Sequence, residues 1–222
     1  MKILLVCNNR NLIEETINYY QEKGKKVNEN SILFRLHNIE ILETGAGGFR
    51  VSQRITETIT KDRFNLTLKL SESYGLRENI EVGEVLNVIR DFPATDGELL
   101  ENDFTDLYDQ QLFNIEEPPH QLGGLVNKTN SYMNIFLPYK KVFGITASIS
   151  SKNEMLRKIR INKYKPHIET ADGLYFSYPC LLKRISFYHL AAVTENLVTG
   201  KKNAHLATTE LNTQLIDIIQ KL

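Results

Sequence analysis

The sequence predicts an α/β fold, in which strands alternate with helices along the chain. Three observations lead to this prediction. Residues 3–6 form a continuous apolar run, which is typical of a strand covered on both faces. A glycine-rich loop at 44–48 stands between a strand pattern and a helical pattern, as in α/β sheets that bind ligands. Residues 204–222 carry apolar side chains at three- and four-residue intervals, which indicates an amphipathic helix packed on the sheet.

The first quarter of the chain is predicted to continue from this strand into a helix and two further strands. The helix covers roughly 12–22, with Asn8 or Asn9 as its N-cap and Gly24 at its end. The two strands that follow are 32–36 and 39–43.

The remaining elements alternate in the same way. The glycine loop is followed by a helix at 51–60, and Pro179 is expected to kink or end a later helix at 174–183. The other predicted strands are 64–70, 85–89, 143–149, 167–169 and 186–193.

Composition narrows the class of protein. The chain has 222 residues, enough for a substantial core, and we expect a single domain over 1–222. Hydrophobic residues make up 41% and charged residues 24%, as in ordinary globular proteins. With 27 basic and 27 acidic residues, the formal charge is zero, which argues against a nucleic-acid partner bound through many phosphates.

Cysteine content and apolar runs bear on location. Cys7 and Cys180 both lie in apolar contexts, and two isolated cysteines make neither a disulfide framework nor a zinc site. No stretch approaches the roughly 20 apolar residues that span a bilayer, and the run at 3–6 is too short for a signal peptide. We therefore expect a cytoplasmic protein without a membrane partner.

Charge is unevenly distributed along the chain. Residues 91–127, here called the acidic segment, contain nine acidic residues and no Lys or Arg. Its proline and glycine content predicts mostly loop. The segment is either a solvated excursion from the sheet or a lid or partner surface that carries an electric field.

The glycine loop Gly45-Ala46-Gly47-Gly48 is the first candidate site. Glycines after a strand let the backbone approach a ligand closely. The loop matches neither the dinucleotide-binding nor the P-loop pattern, so it predicts no such cofactor, and a tight structural turn is an equal alternative.

Two further candidates follow predicted strands. Glu169 and Asp172 lie at a strand-to-helix junction, where open α/β sheets bind ligands, although Thr170 or Asp172 in the same segment would also serve as an N-cap. Thr194 and Glu195 come after a late strand, where a partly buried glutamate acts as a general acid or base and an exposed one does not.

Metal chemistry is not expected. No pair among the five histidines has the spacing of metal ligands on a helix, and neither HExxH nor CxxC occurs. The basic run at 152–165 is predicted to be a solvated helix face, with an anionic partner as the alternative.

The order of these segments resembles the nucleoside phosphorylase/nucleosidase superfamily. The resemblance rests mainly on 80–97 (IEVGEVLNVIRDFPATDG) and on the region 164–196, and it extends almost end to end. Within the superfamily, the chain is most similar to the futalosine hydrolases, relatives of the methylthioadenosine/S-adenosylhomocysteine nucleosidases.

This resemblance implies a three-layer α/β/α fold with a central mixed sheet, a homodimer, and hydrolysis of a purine–ribose N-glycosidic bond without a cofactor. It implies that Gly45, Ala46 and Gly47 lie near the nucleoside. Futalosine hydrolysis further implies menaquinone biosynthesis.

The family's functional positions carry altered residues here. The Met-Glu pair that meets the ribose corresponds to Ala171-Asp172, and the Ser-Asp or Ser-Asn pair near the purine to Thr194-Glu195. The water-activating glutamate corresponds to Leu12, with Glu14 close in sequence.

The usual Ala-Gly-x-x-Gly turn is replaced by 70–74, so Tyr74 would occupy space that a nucleoside needs. The sequence therefore leaves open an active nucleosidase that uses Asp172, Glu195 and Glu14, with Glu169 also on the substrate. A catalytically impaired binding or partner subunit and a nucleoside phosphorylase are the alternatives.

Overall fold

A computed structural model describes residues 1–101 and 103–222 of the chain. The strands of this described part are β1 (Lys2–Cys7), β2 (Lys25–Asn28), β3 (Ser31–Phe34), β4 (His37–Glu43), β5 (Leu66–Gly75), β6 (Val85–Pro93), β7 (Gly97–Leu99), β8 (Phe104–Asp106), β9 (His120–Gln121), β10 (Gly124–Val126), β11 (Lys141–Thr146), β12 (Ile168–Thr170) and β13 (Phe187–Asn196). The helices are α1 (Glu14–Lys23), α2 (Gly48–Lys61), α3 (Met133–Phe136), α4 (Glu154–Tyr164), α5 (Gly173–Leu182) and α6 (Ala204–Lys221).

The central sheet is mixed and partly closed. Its main path runs β2-β3-β4-β1-β5-β12-β11-β6-β10-β9. Strand β13 pairs in parallel with β5 and antiparallel with β6, so β5, β12, β11, β6 and β13 form a closed ring of hydrogen-bonded strands. One buried apolar cluster, which includes Val88, Val142, Ile168 and Val193, connects four strands of this ring.

Helices cover both faces of the sheet. In β1, Ile3 and Leu5 belong to the core cluster under α1 and α6, whereas Leu4 and Val6 belong to the cluster under α2 and α5. Alternate side chains of one strand thus enter opposite layers, as a strand covered on both faces requires. The predicted α/β/α layering around a mixed sheet is confirmed.

Most predicted elements are present, with shifted bounds. Asn9 accepts a hydrogen bond from the Asn11 backbone N–H at 2.9 Å and caps a 3₁₀ turn, from which α1 continues to Gly24. Strand β5 extends to Gly75, five residues beyond the prediction, because it pairs with β13 along that length. Pro179 lies inside α5 without ending it; close packing against α2 sustains this apolar helix.

A buried asparagine joins the two helices on one side of the sheet. The Asn212 side chain of α6 accepts hydrogen bonds from the Thr16 backbone N–H at 2.9 Å and hydroxyl at 2.7 Å. It also donates to the Leu12 carbonyl at 3.0 Å. The start of α1 is therefore held in place by the C-terminal helix.

No helix among the described residues is long and apolar enough to cross a bilayer.

We predict that Asn212→Ala destabilises the protein by about 2–4 kcal/mol, because the buried Thr16 and the half-buried Leu12 carbonyl lose the Asn212 side chain as a hydrogen-bond partner. The free energy of unfolding in urea measures this loss. The neighbouring exposed Thr213→Ala is the control and should stay within about 0.5 kcal/mol of the wild type. Equal stability of both variants contradicts the role assigned to Asn212.

Candidate active site

A cavity of about 280 Å³ lies where β1, β5, β11, β12 and β13 end. Most of the residues that line it have polar side chains. The lining residues are Asn8, Asn9, Leu12, Ser71, Glu72, Ser73, Tyr74, Ala147, Ser148, Ser150, Glu169, Thr170, Ala171, Asp172 and Thr194. Because strand ends and the loops after them supply these residues, the sheet itself positions the site.

A buried salt bridge lies beneath this wall. The Lys69 ammonium group is 2.5 Å from Asp172 Oδ2 and donates a second hydrogen bond to Asn8 Oδ1 at 2.7 Å. Lys69 is fully buried and Asp172 is 1% exposed. Asp172 Oδ1 has no hydrogen-bond partner in the described part of the protein. The two carboxylate oxygens of Asp172 therefore have different surroundings.

Asp172 occupies the N-cap position of α5, but its side chain does not cap the helix. The Thr170 hydroxyl instead accepts the Gly173 N–H at 3.3 Å, and the Thr146 hydroxyl accepts the Leu174 N–H at 2.7 Å. The prediction that the Asp172 side chain caps α5 is therefore wrong. The alternative prediction, capping by Thr170, is confirmed.

A second group of buried polar side chains surrounds Gly173. Ser71 Oγ lies 2.7 Å from His189 Nε2, and the Thr146 hydroxyl donates to Asp91 Oδ2 at 3.0 Å. A Cβ added to Gly173 would lie 2.2 Å from Asp91 Oδ2 and 2.7 Å from His189 Cε1. Only glycine leaves space for both side chains at the start of α5.

Burial shifts the titration of these two groups in opposite senses. Burial, with the nearby negative charge of Asp172, raises the pKa of Asp91 to about 7, against the opposing hydrogen bond from Thr146. Burial, together with the positive charge of Lys69, lowers the pKa of His189 to about 3. Near pH 6, Asp91 is protonated and His189 is neutral.

Glu169 lines the cavity, but its carboxylate is already engaged. It accepts hydrogen bonds from the Ser151 backbone N–H at 3.0 Å and from the Ser151 hydroxyl, and Arg160 Nη1 lies 3.5 Å away. Arg160 also donates to the Ile149 carbonyl at 2.6 Å. Glu169 and Arg160 thus hold the loop before α4, which forms one side of the cavity.

The other sequence candidates divide into two groups. Ala171 and Thr194 lie on the cavity wall with Asp172 and Glu169. Glu195 is not among the lining residues; its Oε2 is 3.0 Å from the ammonium group of Lys152, which lies over the Tyr74 ring.

Glu14 is exposed at the start of α1 and is also off the wall. The lining residues also do not include Gly45, Ala46 and Gly47. Gly45 has a φ of +73°, which favours glycine. A Cβ added at this position would lie 3.1 Å from Arg50 Nε. The catalytic and binding roles of these residues stay predictions.

Sequence reasoning missed four polar residues of the site. Lys69, His189 and Asp91 interrupt or end apolar strand patterns, and a charged residue within such a run is the signal that points to them. Glu72, near the end of β5, is exposed and lies on the cavity wall.

The described residues of the acidic segment, 91–101 and 103–127, form short strands and loops beside α4. Lys163 of α4 makes salt bridges with Asp106, at 3.1 Å, and with Asp109. Part of the basic run thus meets the acidic segment within one chain, and Arg160 of the same helix is buried, so the run is not simply a solvated face. Within the described residues, no cluster of three or more His, Cys, Asp or Glu is arranged to hold a metal ion.

Comparisons with known proteins show the fold. No protein-family model matches the sequence. No curated protein matches it either. Among solved structures, a futalosine hydrolase mutant of Helicobacter pylori strain 26695 has a TM-score of 0.78 at 10% identity, with 100% of both chains covered.

Two nucleosidases give similar values. Campylobacter jejuni 5′-methylthioadenosine/S-adenosyl homocysteine nucleosidase has a TM-score of 0.75 at 13% identity, with 100% of both chains covered. Arabidopsis thaliana 5′-methylthioadenosine nucleosidase has 0.74 at 13%, covering 99% of this chain and 95% of its own. The chain therefore has the nucleoside phosphorylase/nucleosidase fold, as the resemblance implied.

We predict that Asp91→Asn becomes more stable relative to the wild type as the pH rises. A carboxyl with a pKa of about 7 when folded, against 3.8 when unfolded, stabilises the fold fully below about pH 4. This contribution is lost as the pH rises to 7. Asparagine has no such loss, so the difference between variant and wild type should grow by on the order of 2–3 kcal/mol from pH 5 to pH 8.

Thermal unfolding at both pH values measures this change as a shift of several degrees. Asp217→Asn, at an exposed position on α6, is the control. A difference between Asp91→Asn and wild type that is the same at pH 5 and pH 8 rules out the elevated pKa.

Proposed function

We propose that the cavity binds a purine nucleoside and that the protein hydrolyses its N-glycosidic bond. One observation carries this proposal: Asp172 lies on the cavity wall, forms a salt bridge with Lys69, and has a second, buried carboxylate oxygen without a protein partner among the described residues. A ribose hydroxyl is a donor of the size and polarity that such an oxygen accepts.

The chemistry of bond cleavage agrees with this placement. Loss of the purine develops positive oxocarbenium character on the ribose, and a fixed negative charge beside the ring stabilises it. In a water-poor cavity this stabilisation is larger than in bulk water. Asp172 is held by Lys69 from below, so its carboxylate needs no reorganisation during the reaction.

Hydrolysis also requires a group that activates water or protonates the leaving purine. Glu72 lies on the wall and is exposed to solvent, whereas Glu169 is held by Ser151 and Arg160. We assign the acid–base role to Glu72 in this proposal. Glu195 and Glu14, which the family resemblance suggested for this role, do not line the cavity and would have to approach the ligand from outside it.

Fold similarity supplies the finer part of the proposal. The futalosine hydrolase and methylthioadenosine nucleosidase structures suggest substrates of those two types. Hydrolysis of futalosine would place the protein in menaquinone biosynthesis. A homodimer in the cytoplasm completes the proposal, and each of these points rests on analogy of fold.

A non-catalytic nucleoside-binding protein is the second candidate. The Lys69 ammonium group partly neutralises Asp172, which weakens its effect on a developing cation. Glu195 pairs with Lys152 rather than lining the cavity. Both features favour retention of binding after loss of catalysis.

We predict that purified protein releases free base from futalosine or methylthioadenosine and that Asp172→Asn reduces kcat/KM by roughly 100- to 1000-fold, since it removes the fixed charge. Chromatographic detection of the base over a panel of purine nucleosides measures this. Exposed Asp217→Asn should retain wild-type activity. Binding without base release identifies the second candidate, and neither binding nor release eliminates both.

We predict that Glu72→Gln lowers kcat by on the order of 100-fold or more with little change in KM, because it removes proton transfer but keeps the shape of the side chain. Glu78→Gln, at an exposed position soon after β5, is the matched control. If both variants turn over substrate at the wild-type rate, Glu72 is not the acid–base group.

A further inference from the structure

A second cavity, of about 210 Å³, lies between α2, α5 and the acidic segment, and it shares no lining residue with the first. Aromatic rings make up half of its lining residues, which include Tyr108, Phe113, His120, Tyr175 and Tyr178. Small-molecule sites in proteins are typically lined in this way, by apolar and aromatic side chains with only a few polar groups. The chemistry of these walls therefore indicates which ligand would fit.

Four of the rings form one connected group around His120. The ring centroids of Tyr108, Phe113 and Tyr178 lie 5.6, 6.2 and 5.8 Å from the centroid of the imidazole. The imidazole is oriented by its Nδ1, which donates to the Glu117 carbonyl at 3.1 Å. These distances are in the range of direct aromatic contacts, so the rings join the acidic segment to α5.

The fifth ring is placed by the glycine loop. Tyr175 lies against Gly48, where an added Cβ would be 2.5 Å from Tyr175 Cε1. Any larger residue at 48 would displace this ring. Gly48 does not line the first cavity, so this part of the glycine loop supports the second one.

The charge around the second cavity is negative. Asp96 is exposed and lies on the wall, and its Oδ2 accepts a hydrogen bond from the Thr95 hydroxyl at 2.6 Å. Among the described residues, no Lys or Arg lines the cavity. Lys163 pairs with Asp106 and Asp109, which are not lining residues. A cation near the rings is therefore favoured over an anion.

We propose that the second cavity binds a small organic cation that carries a methylated ammonium group, held by the aromatic rings and by Asp96. Such a group is attracted to the faces of aromatic rings. It has few or no N–H donors, so walls of rings with one carboxylate suit it better than a primary ammonium, which needs several acceptors. The inference goes beyond the proposed function and does not depend on it, because the two cavities share no lining residue.

Choline and 3,3-dimethyl-1-butanol are the probes, because they have the same shape and differ in the charge of one atom. Chemical-shift titrations of the isotope-labelled full chain give both dissociation constants. We expect choline to bind more tightly by about fivefold to thirtyfold, the range for a cation over aromatic rings. Equal affinities would show an apolar cavity without cation selectivity and overturn the inference, as would the absence of a saturable shift with choline.

Two variants at exposed positions, where folding is not at risk, locate the site. Tyr178→Leu keeps apolar volume but removes a ring, so choline should bind about fivefold more weakly or worse while the neutral probe changes less than about twofold. Asp96→Asn should weaken only choline, severalfold, because it removes the carboxylate charge. Tyr132→Leu, at a tyrosine of similar exposure (37% against 38%), and exposed Asp217→Asn are the controls. Unchanged choline binding in both test variants overturns the proposal.

A second copy of this chain is the other occupant that this face would take. Sedimentation velocity on the wild type, with and without choline, gives the oligomeric state in the same conditions as the titrations. Saturable choline binding that Tyr178→Leu weakens supports the small-molecule site in a monomer or a dimer. A dimer that shows no choline-dependent shift identifies the face as an interface between copies and overturns the inference.

Discussion

The buried salt bridge between Lys69 and Asp172 is the interaction on which the site depends. It joins β5 to the residue that precedes α5, and through Asn8 it also reaches the end of β1. Breaking such a pair on one side leaves an uncompensated charge and costs about 3–5 kcal/mol, whereas replacing both members is far less harmful. A purely structural need would be met as well by apolar side chains. The pair therefore makes most sense as the support of a charged cavity wall.

Burial shifts the pKa values of Asp91 and His189, the two titratable side chains beside Gly173, in opposite directions. In the fold, one proton resides on Asp91 while His189 is neutral; in the unfolded chain between about pH 4 and 6.5, the same proton resides on the histidine. Folding then transfers a proton between two side chains without net uptake. As the pH rises, the contribution of Asp91 to the free energy of unfolding falls while that of His189 increases. Between about pH 4 and 6.5 the two changes cancel, so this pair leaves the free energy of unfolding nearly constant.

The sequence predicted the framework far better than the chemistry. Apolar runs determine which strands are buried on both faces, so β1 and the strand containing His189 were predictable from hydrophobic periodicity. The extension of β5 to Gly75 was not predictable, because its last residues are largely polar and form a strand only by pairing with β13. Nor could spacing reveal that Lys69 meets Asp172, 103 residues away. Contacts between distant strand ends arise only once the sheet is assembled.

The burial of Asp172 and Lys69 indicates whether the cavity binds a ligand. A cavity that had lost its ligand would be under no constraint to keep Asp172 charged at its base, since a neutral or apolar residue would avoid the cost of desolvation. Here the chain retains the carboxylate, supplies a buried counter-ion from β5, and leaves Oδ1 without a donor among the described residues. Each of these features opposes folding stability when considered alone. Together they agree with the ligand-binding role proposed for the cavity.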